Sequence, residues 1–374
     1  MFKESNSTVF ILGAGASWHY GYPTGETLVE KIIQKASIAA RFFEHSLRVA
    51  NSQRPDYLTE GHSFDVEWPP LWEKAYNECV KLEAGLRQVK PLVIDYYLGW
   101  NPDLQNIGRL LIAWVILESE HFSQSTNINR PPPAKQGQDD WCRFIIHQLA
   151  IHCKESKDLL LNRVSFVTFN YDVSLEHALR NGLKHIQMFD AKDVTRFLDA
   201  SRIIHIYGKI RDVVAAATRV EWDAQNQDPK QLGGAQLMSF HTKMKQILDI
   251  AYSASKGLRV IDPQDKGADD TEIMIARAVV ANAKRIFILG YGFDEHNSGR
   301  LNLREYLRHT VALGDRRIAF TNYQDINQIN KRASNLFYGN PRAFPPAGGA
   351  FSDRYEKSIR NTYDALALDF DLAD

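Results

Sequence analysis

The stretch Thr8–Ser17, TVFILGAGAS, running on through WHYGYPTGETLVEKI to Ile32, decides the fold. Val9, Phe10, Ile11 and Leu12 form a run without a polar residue, the pattern of a parallel strand buried on both faces. Gly13-Ala14-Gly15-Ala16-Ser17 then turns the chain with no large side chain in the way. Thr24 or Glu26 opens a helix through Leu28, Val29, Ile32 and Ile33. A strand, a small-residue turn and a helix leave backbone N–H groups where a phosphate can sit. The same turn also serves as a plain tight turn, so its meaning depends on the rest of the chain.

Outward from this unit, the pattern of an apolar run closed by a polar or glycine tip recurs. RVSFVTF (163–169) ends in Asn170-Tyr171-Asp172 and leads into the helical VSLEHALRNGL. RIIHIY (202–207) is closed by Gly208, RIFIL (285–289) by Gly290-Tyr291-Gly292, and RIAFT (317–321) by Asn322. Strands alternating with helices predict an α/β fold, a Rossmann-like parallel sheet with helices on both faces. In such a sheet the carboxyl ends of the strands line one crevice, and ligands bind there. The tips GAGAS, FNYD, HIYG, GYGFDEHN and TNY therefore point to one site.

Between the first and second strands the chain changes character. From about Ile32 to His121 it is rich in helix formers and aromatics, with Trp68, Trp72, Trp100 and Trp114 as bulk for a helical core. Within it VIDYYLGW (93–100) places Asp95 at a helix start. SQSTNINRPPPAKQGQDD (123–140) reads as a flexible surface loop, and WCRFIIHQLAIHC as a further helix. Residues 213–256 read as a polar helical cap, 258–261 (LRVI) as a short strand, and SDRYEKSIRNTYDALAL as an amphipathic helix before an acidic tail. The expected domains are residues 1–31 with 160–330 as the sheet, 32–159 as a helical insertion, 213–256 as a small cap, and 331–374 as the C-terminal helix and tail.

Composition narrows the function classes. Lys+Arg and Asp+Glu both number 45, so no global basic excess advertises sequence-specific nucleic-acid binding. Cys79, Cys142 and Cys153 lie far apart with no C-x-x-C pair, which argues against a disulfide scaffold and a four-cysteine zinc site and fits a reducing cytoplasm. The run LLIAWVIL (110–117) is too short to span a bilayer. Lys3 followed by VFILGAGAS imitates a secretory signal, but its apolar part is too short and reads better as a first strand. A cytoplasmic protein without a membrane span is expected.

GAGAS after the first strand, Asn170 and Asp172 after the second, and a strand end carrying histidine and glycine resemble the sirtuin family. VIDYYL before IGRLLIAWVILESE, TFNYD with SLEHAL, HIYG and ILGYGFDEHN look more like the bacterial sirtuin-like proteins of antiphage defence, over about residues 7–325. The resemblance implies a Rossmann-like sheet binding NAD, with the inserted helices roofing the pocket. It further implies hydrolysis of NAD to ADP-ribose and nicotinamide, as the effector of an abortive-infection response. The chain departs from true sirtuins in having no four-cysteine module, so no zinc is expected, and in offering GYPTGETL in place of their arginine-containing loop. Tyr207 stands where their catalytic histidine precedes the glycine; His205 is two residues earlier, on the same face of a continuing strand.

Breaking the bond between nicotinamide and ribose asks for a fixed ribose, a held carboxamide and an aimed water. Asn170 suits ribose hydroxyls and water, and His205 suits a proton from either; these two are the candidate catalytic residues. Gly13, Ala14, Gly15, Ala16 and Ser17 form the candidate pyrophosphate turn. Thr24, Asp95, Asp172 and Tyr207 join the binding set, and Gly290, Tyr291, Gly292 and Asn322 border the adenosine end with Asp294 and Asn297 close by. Each has a structural alternative: Asn170, Asp172 and Asp95 as helix caps, and His205 as a core histidine. His241 and His296 read as surface residues, and no spacing suits a metal. A homo-oligomer is expected, with a HerA-type DNA-translocating ATPase as partner, or an Argonaute-like protein. Two other functions fit the same pocket: an NAD-dependent deacylase or ADP-ribosyltransferase, and a non-catalytic scaffold binding NAD or ADP-ribose.

Overall fold

The computed structural model describes residues 7–52, 68–125, 141–200, 202–211, 219–260, 270–307, 317–321 and 326–338. The chain forms two compact units: Met1–Tyr22, Thr126–Tyr207 and Gln264–Asp374 make the first, and Pro23–Ser125 with Gly208–Pro263 the second.

The first unit holds the sheet. Its strands are β1 (Thr8–Leu12), β2 (Val164–Thr168), β3 (Ile203–His205), β4 (Arg285–Leu289) and β5 (Arg317–Phe320), all parallel, in the order β3-β2-β1-β4-β5. Every residue of β1 and β4 is buried, as uninterrupted apolar runs demand of central strands covered on both faces. Phe10 pairs in register with Phe166 on one side and Phe287 on the other. The three rings stack across the sheet at 5.2 Å per step, close to the spacing of the strands themselves. The chain runs from β1 outward through β2 to β3, then returns to the other side of β1 for β4 and β5. The direction of winding thus reverses between β1 and β4, and there an open parallel sheet leaves its ligand crevice. The fold is α/β and Rossmann-like.

Helices flank this sheet: α5 (Trp141–Ala150), α6 (Ser174–Lys184), α7 (Ala191–Asp199), α9 (Thr271–Asn282), α10 (Glu295–Arg300) and α11 (Asn327–Tyr338). α5 packs on α6, and α6 on α7. The second unit is helical: α1 (Gly25–Ser52), α2 (Trp68–Val89), α3 (Ile94–Trp100), α4 (Gln105–Ser125) and α8 (Gly234–Ser255). α1 packs against α2 and α4, and α4 against α8. Its core contains a buried ion pair, Lys35 Nζ to Glu118 Oε2 at 2.8 Å, and Gln225 binds Lys35, Glu118 and the Trp114 indole. Burial pushes the Lys35 ammonium down from its ordinary value, and the Glu118 charge pulls it back up. No helix among the described residues is long and apolar enough to cross a membrane.

Several expectations change. The helix of 141–150 sits with the sheet, because the Trp141 indole donates to the Ala16 carbonyl and Tyr20 Oη accepts from the Cys142 N–H. The stretch read as a separate cap clusters with the inserted helices as one unit, tied there by Gln225. LRVI makes no strand; a single bridge joins Leu258 to Gly208. β3 stops at His205, and residues 206–207 form a turn before Gly208, whose φ of +66° suits glycine. Trp114 is fully buried as expected, whereas Trp100 is 64% exposed and adds nothing to a core. Of the proline-rich loop expected over 123–140, residues 123–125 instead end α4, while 126–140 and the expected C-terminal amphipathic helix lie outside the described residues.

Candidate functional site at the carboxyl edge of the sheet

The turn after β1 is held from three directions. From β4, the Gly15 N–H donates to the Gly290 carbonyl at 2.9 Å, and the Gly13 N–H to the Leu289 carbonyl at 2.9 Å. From α5 comes the Trp141 indole, 2.9 Å from the Ala16 carbonyl. From the end of β2 comes Asn170, whose Nδ2 donates to the Gly13 carbonyl at 3.2 Å and to Ser17 Oγ at 3.0 Å. The glycines exist for this packing. A Cβ on Gly290, at φ +58°, would stand 2.0 Å from the Ala16 nitrogen, and one on Gly13 2.5 Å from the Gly290 carbonyl oxygen. The two turns touch backbone to backbone at the point where the sheet reverses.

This alters the expected pyrophosphate cradle. The N–H groups of Gly15, Ala16 and Ser17 already donate to the carbonyls of Gly290, Gly13 and Ala14. Among the described residues the Ala14 N–H has no such acceptor, and Ser17 Oγ, accepting from Asn170, keeps its own proton to donate. Any phosphate at this turn therefore meets two donors, where a turn of free N–H groups would offer several.

Asn170 and Asp172 do different work. The Asn170 backbone N–H donates to Thr168 Oγ1 at 3.0 Å, and its Oδ1 accepts no hydrogen bond among the described residues. Asp172 stands one residue before the cap position of α6, Val173, and binds the first helical residue: the Ser174 N–H donates to Oδ1 at 3.1 Å, and the Ser174 hydroxyl binds the same oxygen. Burial pushes the Asp172 carboxyl above its ordinary value; the Ser174 hydrogen bonds and His205 pull it down, and Glu176 pushes it further up.

His205 ends β3 opposite Thr168 and is buried. Nδ1 lies 2.9 Å from the Asn170 main-chain oxygen, which obliges it to donate, and Nε2 lies 3.0 Å from Glu176 Oε1. The sequence reading assigns this imidazole a proton from water or ribose; in the structure both nitrogens are engaged by protein. The expectation that His205 and Tyr207 share a strand face also fails, because the strand ends between them. Tyr207 turns instead to α10, where its hydroxyl donates to Asn297 Oδ1 and accepts from Arg300 Nη1 at 2.8 Å. Phe169 and Tyr171 each approach the Tyr207 ring at 6.2 Å, and Phe169 stacks on Tyr291 at 5.1 Å.

On the β4 side, Gly290 serves the turn contact and Gly292 is exposed, with open space where a Cβ would point. Tyr291 is buried, its hydroxyl 3.0 Å from Ser298 Oγ, and burial pushes its phenol well above the ordinary value. Asp294 caps α10 through the Asn297 N–H at 3.0 Å. Thr24 hydrogen-bonds Thr27 at the start of α1, and Asp95 is buried in the first turn of α3; both belong to the second unit. Asn322 lies outside the described residues. The structure thus joins Gly13, Ser17 and Asn170 in one cluster, with His205 behind it, and Tyr207 with Asn297 in another.

Three residues of this edge escape a reading of the sequence. Glu176 sits in the first turn of α6, four residues after Asp172. Trp141 and Arg300 carry no local signal; only the fold brings them in. No cluster of three or more His, Cys, Asp or Glu suited to a metal occurs among the described residues. The class is that of Rossmann-like parallel α/β proteins with polar groups gathered at the sheet's point of reversal. The chain matches no protein-family model, no curated protein and no solved structure.

Proposed function

We infer that the carboxyl edge of this sheet binds NAD and hydrolyses it to ADP-ribose and nicotinamide. The observation that supports the reading most is the Asn170 amide: it ties the second strand to the small-residue turn at the reversal point, and among the described residues its Oδ1 accepts no hydrogen bond. The residues fit a dinucleotide through the Ala14 N–H and Ser17 hydroxyl for a phosphate and the Asn170 Oδ1 for a ribose hydroxyl or water. In the reaction, water oxygen bonds to the anomeric carbon as the carbon–nitrogen bond breaks. The bonding pair passes to the pyridinium nitrogen, cancelling its charge, and the water gives up a proton to solvent. The leaving group is a neutral molecule from a cation, so the protein's task is positioning and shielding.

An effector role in antiphage defence, with a HerA-type ATPase or an Argonaute-like protein as activator, follows from the family resemblance alone and is proposed on that footing. A second reading, NAD binding without turnover, is favoured by the engagement of both His205 nitrogens. Incubating the purified chain with NAD, alone and with DNA and a HerA-type ATPase, separates the two. Release of nicotinamide that Asn170→Ala abolishes supports hydrolysis. Thermal stabilisation by NAD without nicotinamide release supports the scaffold.

A further inference from the structure

Glu176 belongs to no role assigned so far, yet it is buried and its carboxylate meets the imidazole of His205 at the end of β3. A continuous chain of hydrogen bonds leads from it to the candidate turn. Glu176 Oε1 lies 3.0 Å from His205 Nε2, His205 Nδ1 donates to the Asn170 carbonyl at 2.9 Å, and Asn170 Nδ2 reaches Gly13 and Ser17 at 3.2 and 3.0 Å. The proton positions follow from the acceptors. A carbonyl cannot donate, so Nδ1 carries a proton; two lone pairs cannot face each other at 3.0 Å, so one further proton lies between Nε2 and Oε1. With those two protons fixed, the ring can neither flip nor change tautomer without breaking a buried hydrogen bond.

We propose that Glu176 is a positioning residue for the NAD reaction, acting through His205 to fix the Asn170 peptide and hence its amide. This rests on the reading that Asn170 contacts NAD. It assigns His205 the task of a brace and leaves the substrate contact to Asn170. Misplacing a contacting group by an ångström costs about 100-fold in rate, so the brace is worth a comparable factor in turnover.

The test uses the full chain with Glu176→Leu and Glu176→Gln, both checked for folding by far-ultraviolet circular dichroism. Two readouts are taken: nitrogen–proton correlation spectra of the histidine side chains, with the His205 signals assigned by their loss in His205→Gln, and nicotinamide release at varied NAD. The wild type should show a protonated His205 Nδ1. Glu176→Leu, which leaves the ring held by the Asn170 carbonyl alone, should shift the Nε2 signal and broaden the Nδ1 one, and lower kcat about 10- to 100-fold with KM changed by less than about threefold; Glu176→Gln, which keeps a hydrogen-bonding partner for Nε2, should restore most of both. An unchanged His205 spectrum in folded Glu176→Leu overturns the proposal, as does an altered spectrum with unchanged kcat. If Glu176→Leu fails to fold, Glu176→Gln decides: loss of the signature and of turnover there contradicts the brace. A wild type that neither binds nor consumes NAD, but shows the fixed Nδ1 proton, defeats the NAD reading and with it the reaction role of Glu176, while the hydrogen-bonded chain itself stands.

Discussion

Asn170 and Gly290 show how single residues set this edge. Asn170→Ala removes both amide bonds to the turn after β1. Two lost neutral hydrogen bonds cost about 1–3 kcal/mol of stability, measurable by urea unfolding, and on the proposed function nicotinamide release falls at least about 100-fold. Gly290→Ala places a Cβ against the Ala16 nitrogen at a left-handed φ. Backbone strain and the clash together should cost roughly 2–5 kcal/mol, read as a lower urea midpoint, since neither partner is a side chain able to swing aside. The Gly-rich turn was legible in the sequence as a turn. Its purpose was not: the atom that forbids a side chain at Gly13 belongs to Gly290, and no local pattern links them. Likewise Asp172 looked like either a cap or a ligand, and only the structure shows it holding the Ser174 N–H at the start of α6 from one residue before the cap position.

At the scale of elements, β1, β2, β4 and β5 stand where the mostly apolar runs VFIL, RVSFVTF, RIFIL and RIAFT placed them, because a strand covered on both faces leaves little choice of residue type. β3 is the instructive exception. RIIHIY is apolar through Tyr207, yet pairing ends at His205, where Gly208 takes a positive φ and the chain leaves the sheet. That early exit sends Tyr207 to Asn297 and Arg300 and leaves His205 with Glu176, so a shift of two residues separates groups that the sequence put on one face. The Phe10 ladder offers a test of the sheet itself. Phe166→Ala deletes one of three stacked rings, itself fully buried, and should cost about 3–5 kcal/mol in thermal or urea unfolding.

For the whole molecule, the sequence shows a helical insertion by its change of periodicity but not which helices close on one another. Lys35, Glu118 and Gln225 are far apart in the chain and meet in one buried cluster, which groups 208–263 with 23–125. A second meeting of this kind gives a pH dependence. His241, read from sequence as a surface residue, lies with its Nε2 3.0 Å from His45 Nδ1, among Phe42 and Phe240. Burial first, and then the neighbouring His45, pushes His241 down to about 4; burial and Arg48 lower His45 as well. In the unfolded chain both return to an ordinary value of about 6.5, so between those values the unfolded state binds more protons and folding weakens as the pH falls. The stability is fully present above about pH 6.5 and declines toward pH 4. His241→Gln should flatten that decline in urea midpoints taken across this window, and an undiminished slope would show that other groups produce it.

The claim on which the rest depends is that the reversal point between β1 and β4, with Asn170 beside it, takes up NAD. Isothermal titration of NAD into the full chain and into Asn170→Ala, with nicotinamide release followed on the same samples, measures it directly. Saturable binding by the wild type, weakened in the variant together with nicotinamide release, is the predicted result; equal heats and equal release from both proteins would contradict it.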